Sequence, residues 1–296
     1  MRPLSEMAVI QIDILSSCHL SCANCTRFVS HHKHNYAMDA DCFRKAIASL
    51  DGFPGRIGLM GGEPLLHPRF RELLAIYCEM VPKERRELWT AGWKWTEYAE
   101  ELADAFEPSL IHFNDHTQED GRHQPLGVAV SEVVEDEDLM WELIRACPYQ
   151  EHWSAAVNDH GAYMCEIGAA QDRVLNNGAN AWPVESGWWK RKPGDPEFEA
   201  QVKALCVNCS GCLPMPAYSD GRGGRDGPTY DVVSPGFLGK LLANGSPKAK
   251  RGHVQVWNRK ITREDIDKIK GWSPRSFRGF VAHSPEDYEH AGETGT

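Results

Sequence analysis

The chain has no apolar run approaching the roughly 20 residues that a bilayer-spanning helix needs. Met1 to Met7 lack the basic-then-apolar layout of a secretion signal. Both absences point to a cytoplasmic protein with no membrane partner. Positive charge is also in deficit: 32 Lys and Arg against 42 Asp and Glu give a formal charge of -10. A broad phosphate-binding face is therefore disfavoured, and nucleic acid is a poor default partner. The glycine-rich stretch Gly221 to Gly227 is too irregular for a phosphate loop, and its Arg222 and Arg225 read as solvated. Cysteine is the residue in good supply. Ten of them, in clustered pairs and triples and without a secretion signal, favour metal ligation in a reducing compartment over disulfides.

At 296 residues, 42% hydrophobic and 25% charged, the chain can bury a substantial core, enough for one barrel-sized domain plus an appendage. Ala8 to Leu15 is rich in β-branched residues and reads as a buried strand. Phe28 to Tyr36, with His31, His32 and His34, is polar and aperiodic, a solvated loop. Asp39 caps a helix to Leu50 with Phe43, Ile47 and Leu50 on one face. Ile57 to Met60 is a strand, and Pro68 opens a helix carrying Phe70, Leu73, Leu74, Ile76 and Tyr77. Leu88 to Thr90 and Leu110 to Phe113 are strands, with a helix from Thr96 to about Phe106 between them. A polar insertion, Thr117 to Gln124, precedes an acidic stretch and a helix from Asp138 to Ala146. Trp153 to Val157 is the fifth strand signal. Strands alternating with helices imply parallel pairing in a barrel-like or open α/β sheet.

The most informative stretch follows the first strand: Cys18-His19-Leu20-Ser21-Cys22-Ala23-Asn24-Cys25. Three thiols at spacings of four and three let one loop wrap a single cluster while supplying no fourth cysteine. Zinc sites usually pair a CxxC with two further ligands, which this loop lacks. Gly61-Gly62-Glu63-Pro64 ends the second strand. Its glycines permit close backbone approach, its carboxylate can accept from an ammonium, and its proline locks the exit. By itself that tetrapeptide is a common turn.

Together, a CxxxCxxC loop behind the first strand and a GGEP sequence ending the second resemble the radical S-adenosylmethionine (SAM) superfamily over Ala8 to Val157. The resemblance implies a partial (β/α)6 barrel. It implies a [4Fe-4S] cluster on Cys18, Cys22 and Cys25, whose open iron takes the amino and carboxylate groups of SAM, and a Glu63 that receives the SAM amino group through the Gly61-Gly62-Glu63 turn. The family usually carries an aromatic residue before the third cysteine, and Asn24 departs from that. Thr90, Asn114 and Asp115 end the third and fourth strands, where relatives place SAM carboxylate or ribose contacts; loop capping explains them equally. Strand residues alternate faces, so only one of Asn114 and Asp115 should point inward.

In the second half, Asn158-Asp159-His160-Gly161 is a turn, and Ala162 to Cys165 completes a hairpin delivering one thiol. Cys206-Val207-Asn208-Cys209-Ser210-Gly211-Cys212 adds three more, the full count for a second [4Fe-4S] cluster. Cys165, Cys206, Cys209 and Cys212 resemble the auxiliary-cluster (SPASM or shorter twitch) extensions of the same superfamily, twitch being closer in cysteine number. A structural zinc on the same four thiols remains an alternative, and Cys147 could replace a ligand. Cys42 and Cys78, on predicted helices, read as ordinary buried thiols. Trp182 to Pro193 interleaves tryptophans with Lys190, Arg191 and Lys192, either for packing at the barrel mouth or for holding a ligand. Ser234-Pro235 opens a helix closing at Asn244-Gly245, and Thr262 to Lys270 is a last helix, boxed by Thr262 and Asp265 and stopped by Gly271. About Ser284 to Thr296 should be disordered. The implied units are 1-157, a 158-245 extension and a 246-296 tail.

The family resemblance implies reductive cleavage of SAM to a 5′-deoxyadenosyl radical that abstracts hydrogen. An electron donor such as flavodoxin or ferredoxin is then required. A four-thiolate auxiliary cluster has no open iron, so it implies an electron acceptor and a two-electron oxidation, with epimerisation or decarboxylation as redox-neutral alternatives. His112, Asp115 and His116 lie where substrate is faced, as candidates for the accompanying proton. No spare segment of about 80 residues with its own core is available for binding a peptide leader, which favours a small polar metabolite such as a sugar, cyclitol or nucleoside-like compound. A peptide or protein modifier recruiting its target through Trp182 to Pro193, and a zinc-binding adaptor without catalysis, are the competing expectations.

Overall fold

The structure, a computed structural model, describes residues 1–114, 123–215, 229–267 and 280–281. In chain order the elements are β1 (Val9–Leu15), α1 (Ala40–Ser49), β2 (Arg56–Gly61), α2 (Phe70–Met80), β3 (Arg86–Thr90), α3 (Trp95–Ala105), β4 (Ile111–Phe113), α4 (Val130–Val133), α5 (Glu137–Arg145) and α6 (Pro148–His152). There follow β5 (Ala155–Val157), β6 (Ala162–Tyr163), α7 (Glu166–Asn176), α8 (Pro196–Leu205), β7 (Asp231–Val233), α9 (Pro235–Ala243), α10 (Pro247–Lys250), β8 (Val254–Val256), α11 (Arg263–Asp267) and β9 (Phe280–Val281).

The main sheet has the order β6-β5-β1-β2-β3-β4-β9. β1 to β5 run parallel, and β6 and β9 close the two edges antiparallel. Parallel pairing is thus as the alternation of elements predicts. The strand order differs from a (β/α)6 barrel built in chain order: β5 pairs with β1, register Ile10↔Ala155, instead of extending beyond β4. The segment from 123 to 152 carries the chain across three short helices to the free edge of β1, whose backbone groups need a partner. Described residues show no barrel closure.

Each strand is two-faced, and that positions the site. Ile10, Ile12, Ile14, Ile57, Leu59, Leu88 and Ile111 turn to one side and are all but inaccessible. Gln11, Asp13, Met60, Glu87, Trp89 and His112 occupy the alternate positions. The helices obey the same arithmetic. Asp39 caps α1 by accepting from Cys42 N at 2.7 Å, and Phe43, Ala46 and Ile47 are buried. α2 begins at Phe70, so Pro68 lies in the preceding turn and not at the first helical position. The Thr262–Asp265 capping box forms ahead of α11, with Asp265 N donating to Thr262 Oγ1 at 3.3 Å; Lys270, Gly271 and Ser284 to Thr296 lie outside the described residues.

One apolar core runs from Leu4 to Ala249. The boundary expected at 157/158 falls inside the β5–β6 hairpin, and that at 245/246 falls inside the parallel β7–β8 pair. Trp182 to Pro193 packs at the end of the sheet away from the cysteine loop: Trp188 Nε1 donates to Ser49 Oγ at 3.1 Å, Trp189 meets the Phe53 ring, and Arg191 O accepts from Leu4 N. That placement corrects the expectation of packing at the barrel mouth. Two further corrections concern exposure. Cys42 is exposed, and His31 and His32 are buried, not solvated.

Candidate functional site

The loops leaving β1, β2, β3 and β4 meet over the polar face of the sheet and enclose a cavity of about 300 Å³. Cys18, Cys22 and Cys25 line it together with Gly61, Gly62, Thr90 and Asn114. The two glycines have a steric reason to be there. A Cβ at Gly61, whose φ is +147°, would sit 2.3 Å from Leu15 O, and one at Gly62 would sit 2.1 Å from Ser17 O. Their absence lets Gly62 N donate to Leu15 O (2.7 Å) and Glu63 N to Ser17 O (2.9 Å), so the end of β2 grips the root of the cysteine loop.

Glu63 is differently placed from its neighbours. It is fully buried and does not line the cavity; its carboxylate accepts from Thr90 Oγ1 (2.5 Å), Ala91 N (2.7 Å) and Leu65 N (3.0 Å). Burial pushes it up to about 7 against those three donors. Thr90 is held by the same bond and accepts from Gly92 N at 2.9 Å. Glu63 thus ties the end of β2 to the end of β3. Asn114 lines the cavity with its Oδ1 buried and without a partner among the described residues. Asp115 and His116 lie outside the described residues.

Below the cysteines the cavity follows the polar strand face. Arg27 pairs with Glu166 at 3.0 Å and lies 3.7 Å from Asp13, all three buried. Burial lifts Asp13 to about 6 even though Arg27 opposes it. Burial also works against the Arg27 charge, but Glu166 and Asp13 outweigh it and keep the guanidinium protonated. Arg27 Nη1 and Gln11 Oε1 have no hydrogen-bond partner among the described residues. Further down, Glu87 accepts from Trp89 Nε1 at 2.6 Å and from Arg56, with His112 Nε2 3.6 Å away and its ring stacked on Trp89. Burial pushes Glu87 up, but those partners leave it below its ordinary range. Gln11, Asp13, Arg27, Glu87, Trp89 and Glu166 were not singled out from the sequence. The period-2 alternation of β1 and β3 carried the signal for four of them.

Thiols gather again around a second cavity, of about 30 Å³, among Ile144, Met164, Ile167 and Leu205. Cys165, Cys206, Cys209 and Cys212 line it as the sequence pattern expects, and Cys147 joins them as a fifth. Burial raises all four of the expected thiols, Cys165 to about 12, and after burial Cys147 is the strongest charge acting on each. α7, unread in the sequence, delivers this geometry: nearly every residue of it is buried, and Gly168 lets Leu205 approach. Its Gly-Ala-Ala run carries no 3.6-residue period to detect. Burial also lifts Cys18 to about 12, so ligation at either site must displace protons. Among the described residues, no three His, Cys, Asp or Glu side chains converge as on a single metal ion. No described helix is long and apolar enough to cross a membrane.

No protein-family model matches this chain, and neither does any curated protein. Among solved structures, the crystal structure of BtrN in complex with AdoMet and 2-DOIA is 18% identical, over 68% of this chain and 88% of that one, with a TM-score of 0.39. Selenomethionine BtrN in an open conformation is also 18% identical, over 72% and 92%, with a TM-score of 0.41. At scores this low neither similarity decides a fold or a function for this chain.

Proposed function

We propose that this chain is a radical SAM enzyme that oxidises a small polar metabolite, a sugar, cyclitol or nucleoside-like compound. The supporting observation is the convergence of three soft thiol donors with Gly61, Gly62, Thr90 and Asn114 on one cavity. Cys18, Cys22 and Cys25 would hold a [4Fe-4S] cluster, with SAM in the adjoining space. An auxiliary cluster would sit among Cys165, Cys206, Cys209 and Cys212, with Cys147 in reach. When bound, these groups supply a 5′-deoxyadenosyl radical and an acceptor for the second electron of an oxidation.

The chain's own residues bind, orient and exclude water. Asn114 Oδ1 and Gln11 Oε1 are buried acceptors awaiting donors, suited to the hydroxyl or amino hydrogens of a polar ligand. Arg27 offers unfilled N–H groups to an oxygen of that ligand, while Glu166 and Asp13 balance its charge within the protein. Glu63 braces the rim through Thr90, which lines the cavity. His112, held against Trp89 and beside Glu87, is an imidazole on the cavity able to take the proton released on oxidation. Asp115 and His116 are assigned the same role by their position in the sequence. An electron donor such as flavodoxin or ferredoxin completes the system.

Anaerobic reconstitution with iron and sulfide tests the assignment. About eight irons per chain are expected, for two four-iron clusters, with 5′-deoxyadenosine released when reduced protein meets SAM. Zinc retained in place of iron, with no SAM cleavage, would instead favour the adaptor.

A further inference from the structure

The cysteine loop is gripped from behind by residues about 200 positions away in the sequence. Asn24, left-handed at φ 51°, donates its backbone N–H to Asp231 Oδ1 at 2.5 Å and accepts Val232 N through Oδ1 at 2.9 Å. Thr229 Oγ1 donates to Ser21 O at 2.5 Å. Lys248 Nζ donates to Asp231 Oδ1 (2.8 Å), Thr229 Oγ1 (3.0 Å) and Cys22 O (3.3 Å). His31, in the turn after the loop, bridges Asp231 Oδ2 and Ser246 Oγ, 2.7 Å from each.

All of these side chains are buried, and Lys248 is only 1% exposed. A lysine so enclosed is rare unless paired, and a buried ion pair is a weak source of stability compared with an apolar replacement. Its presence therefore calls for a use beyond packing. Ser246, His31 and Asp231 have the hydrogen-bond order of an acyl-transfer triad, but Ser246 is 1% exposed and its hydroxyl caps α10 by accepting from Ala249 N. Substrate cannot reach it. What the assembly does reach is the loop: Ser21, Cys22 and Asn24 are each held, and the ammonium lies against Cys22.

We propose that Asn24, Asp231 and Lys248 form a positioning clamp that fixes the Cys18–Cys25 loop through Asn24 N, the Asn24 carboxamide and Cys22 O. This rests on reading the loop as the cluster-binding one. It also accounts for Asn24: the side chain is committed to β7, and a left-handed backbone suits asparagine better than an aromatic residue.

Three variants of the full chain test holding. Lys248→Met paired with Asp231→Asn removes the ion pair without leaving a buried unpaired charge, and Lys248→Met alone is its companion. Asn24→Gly keeps the left-handed backbone and deletes the carboxamide. Amide exchange over residues 18–25 in the metal-free chain should be about tenfold faster in all three, as expected when a buried hydrogen bond is lost, and unchanged exchange overturns the clamp. After anaerobic reconstitution, removal of iron by a chelator from the cluster whose electron paramagnetic resonance signal responds to SAM should also speed about tenfold. A wild-type loop that takes up no iron would sink the cluster assignment, while the exchange result still decides the clamp.

Discussion

The chain assembles thiols twice, and the two gatherings differ in what surrounds them. Cys18, Cys22 and Cys25 are half-buried at the mouth of a cavity of about 300 Å³ floored by Gln11, Arg27, Glu87 and His112. Cys147, Cys165, Cys206, Cys209 and Cys212 enclose about 30 Å³ among apolar side chains. Three donors beside open polar space leave room for a ligand; five donors in a small dry pocket leave none. In the function proposed above, the same side-chain chemistry serves a reacting site in one place and a closed, electron-passing site in the other. The contrast lies in the lining, not in the cysteines.

The largest expected effect tests the open site. Alanine at Cys18, Cys22 or Cys25 should lower bound iron by about four per chain and bring 5′-deoxyadenosine release to background, measured by chromatography after reduction. Release that persisted would remove the basis for separating the two sites.

Next comes the closed site. Cys165→Ser should lower iron by about four per chain while leaving SAM cleavage intact, whereas serine at the exposed Cys42 should change neither. Full iron in Cys165→Ser would mean that Cys147 takes its place in the ligand set.

A smaller effect is expected at the joint between β2 and the cysteine loop. Gly62→Ala places a Cβ against Ser17 O and should cost about 1–3 kcal/mol in denaturant unfolding. Unaltered stability would show that the loop's root yields easily.

A pH dependence of comparable size comes last. The folded value of Glu63, about 7, lies above its ordinary 4.5, so the folded state binds this proton more tightly than the unfolded state does. Stability should be fullest below pH 4.5 and fall as pH rises to about 7, by about 3 kcal/mol for this group. Asp13, raised to about 6, acts in the same direction over a lower window. Glu63→Gln should flatten the upper part of that slope in urea titrations at several pH values; an unchanged slope would mean that Glu63 does not titrate there.

How far the residues could be read differed along the chain. The strands up to Val157 and α1, α2, α3 and α5 were legible, because β-branched runs, Asp39 as a cap and the Asn158–Gly161 turn act over a few neighbours. α4, α6, α7 and α8 were not read, α4 and α6 being little more than one turn long and α7 burying its Glu166, Gln171 and Asp172 through partners distant in the chain. Within the site the cysteines and glycines were legible as spacings. Gln11 and Asp13 sat at the alternate positions of a strand read only for its β-branched residues, and Glu87 lay just before the strand read from Leu88. Glu63 was visible, but its direction was not: a carboxylate at a strand end can face a ligand or its own neighbours, and here Thr90 and Ala91 claim it.

What the amino-acid order alone determined is the set of local units: parallel strands with helices between them, a loop with three thiols, a glycine pair to meet it, and a later thiol group. Those depend on interactions among residues close in the chain, so spacing records them. Only the tertiary structure decided that β5 joins β1, that Cys147 enters the second thiol pocket, and that Asp231 and Lys248 hold the loop of Cys22. Each of those brings together residues far apart in the chain through burial and hydrogen bonding across space, which no local pattern encodes.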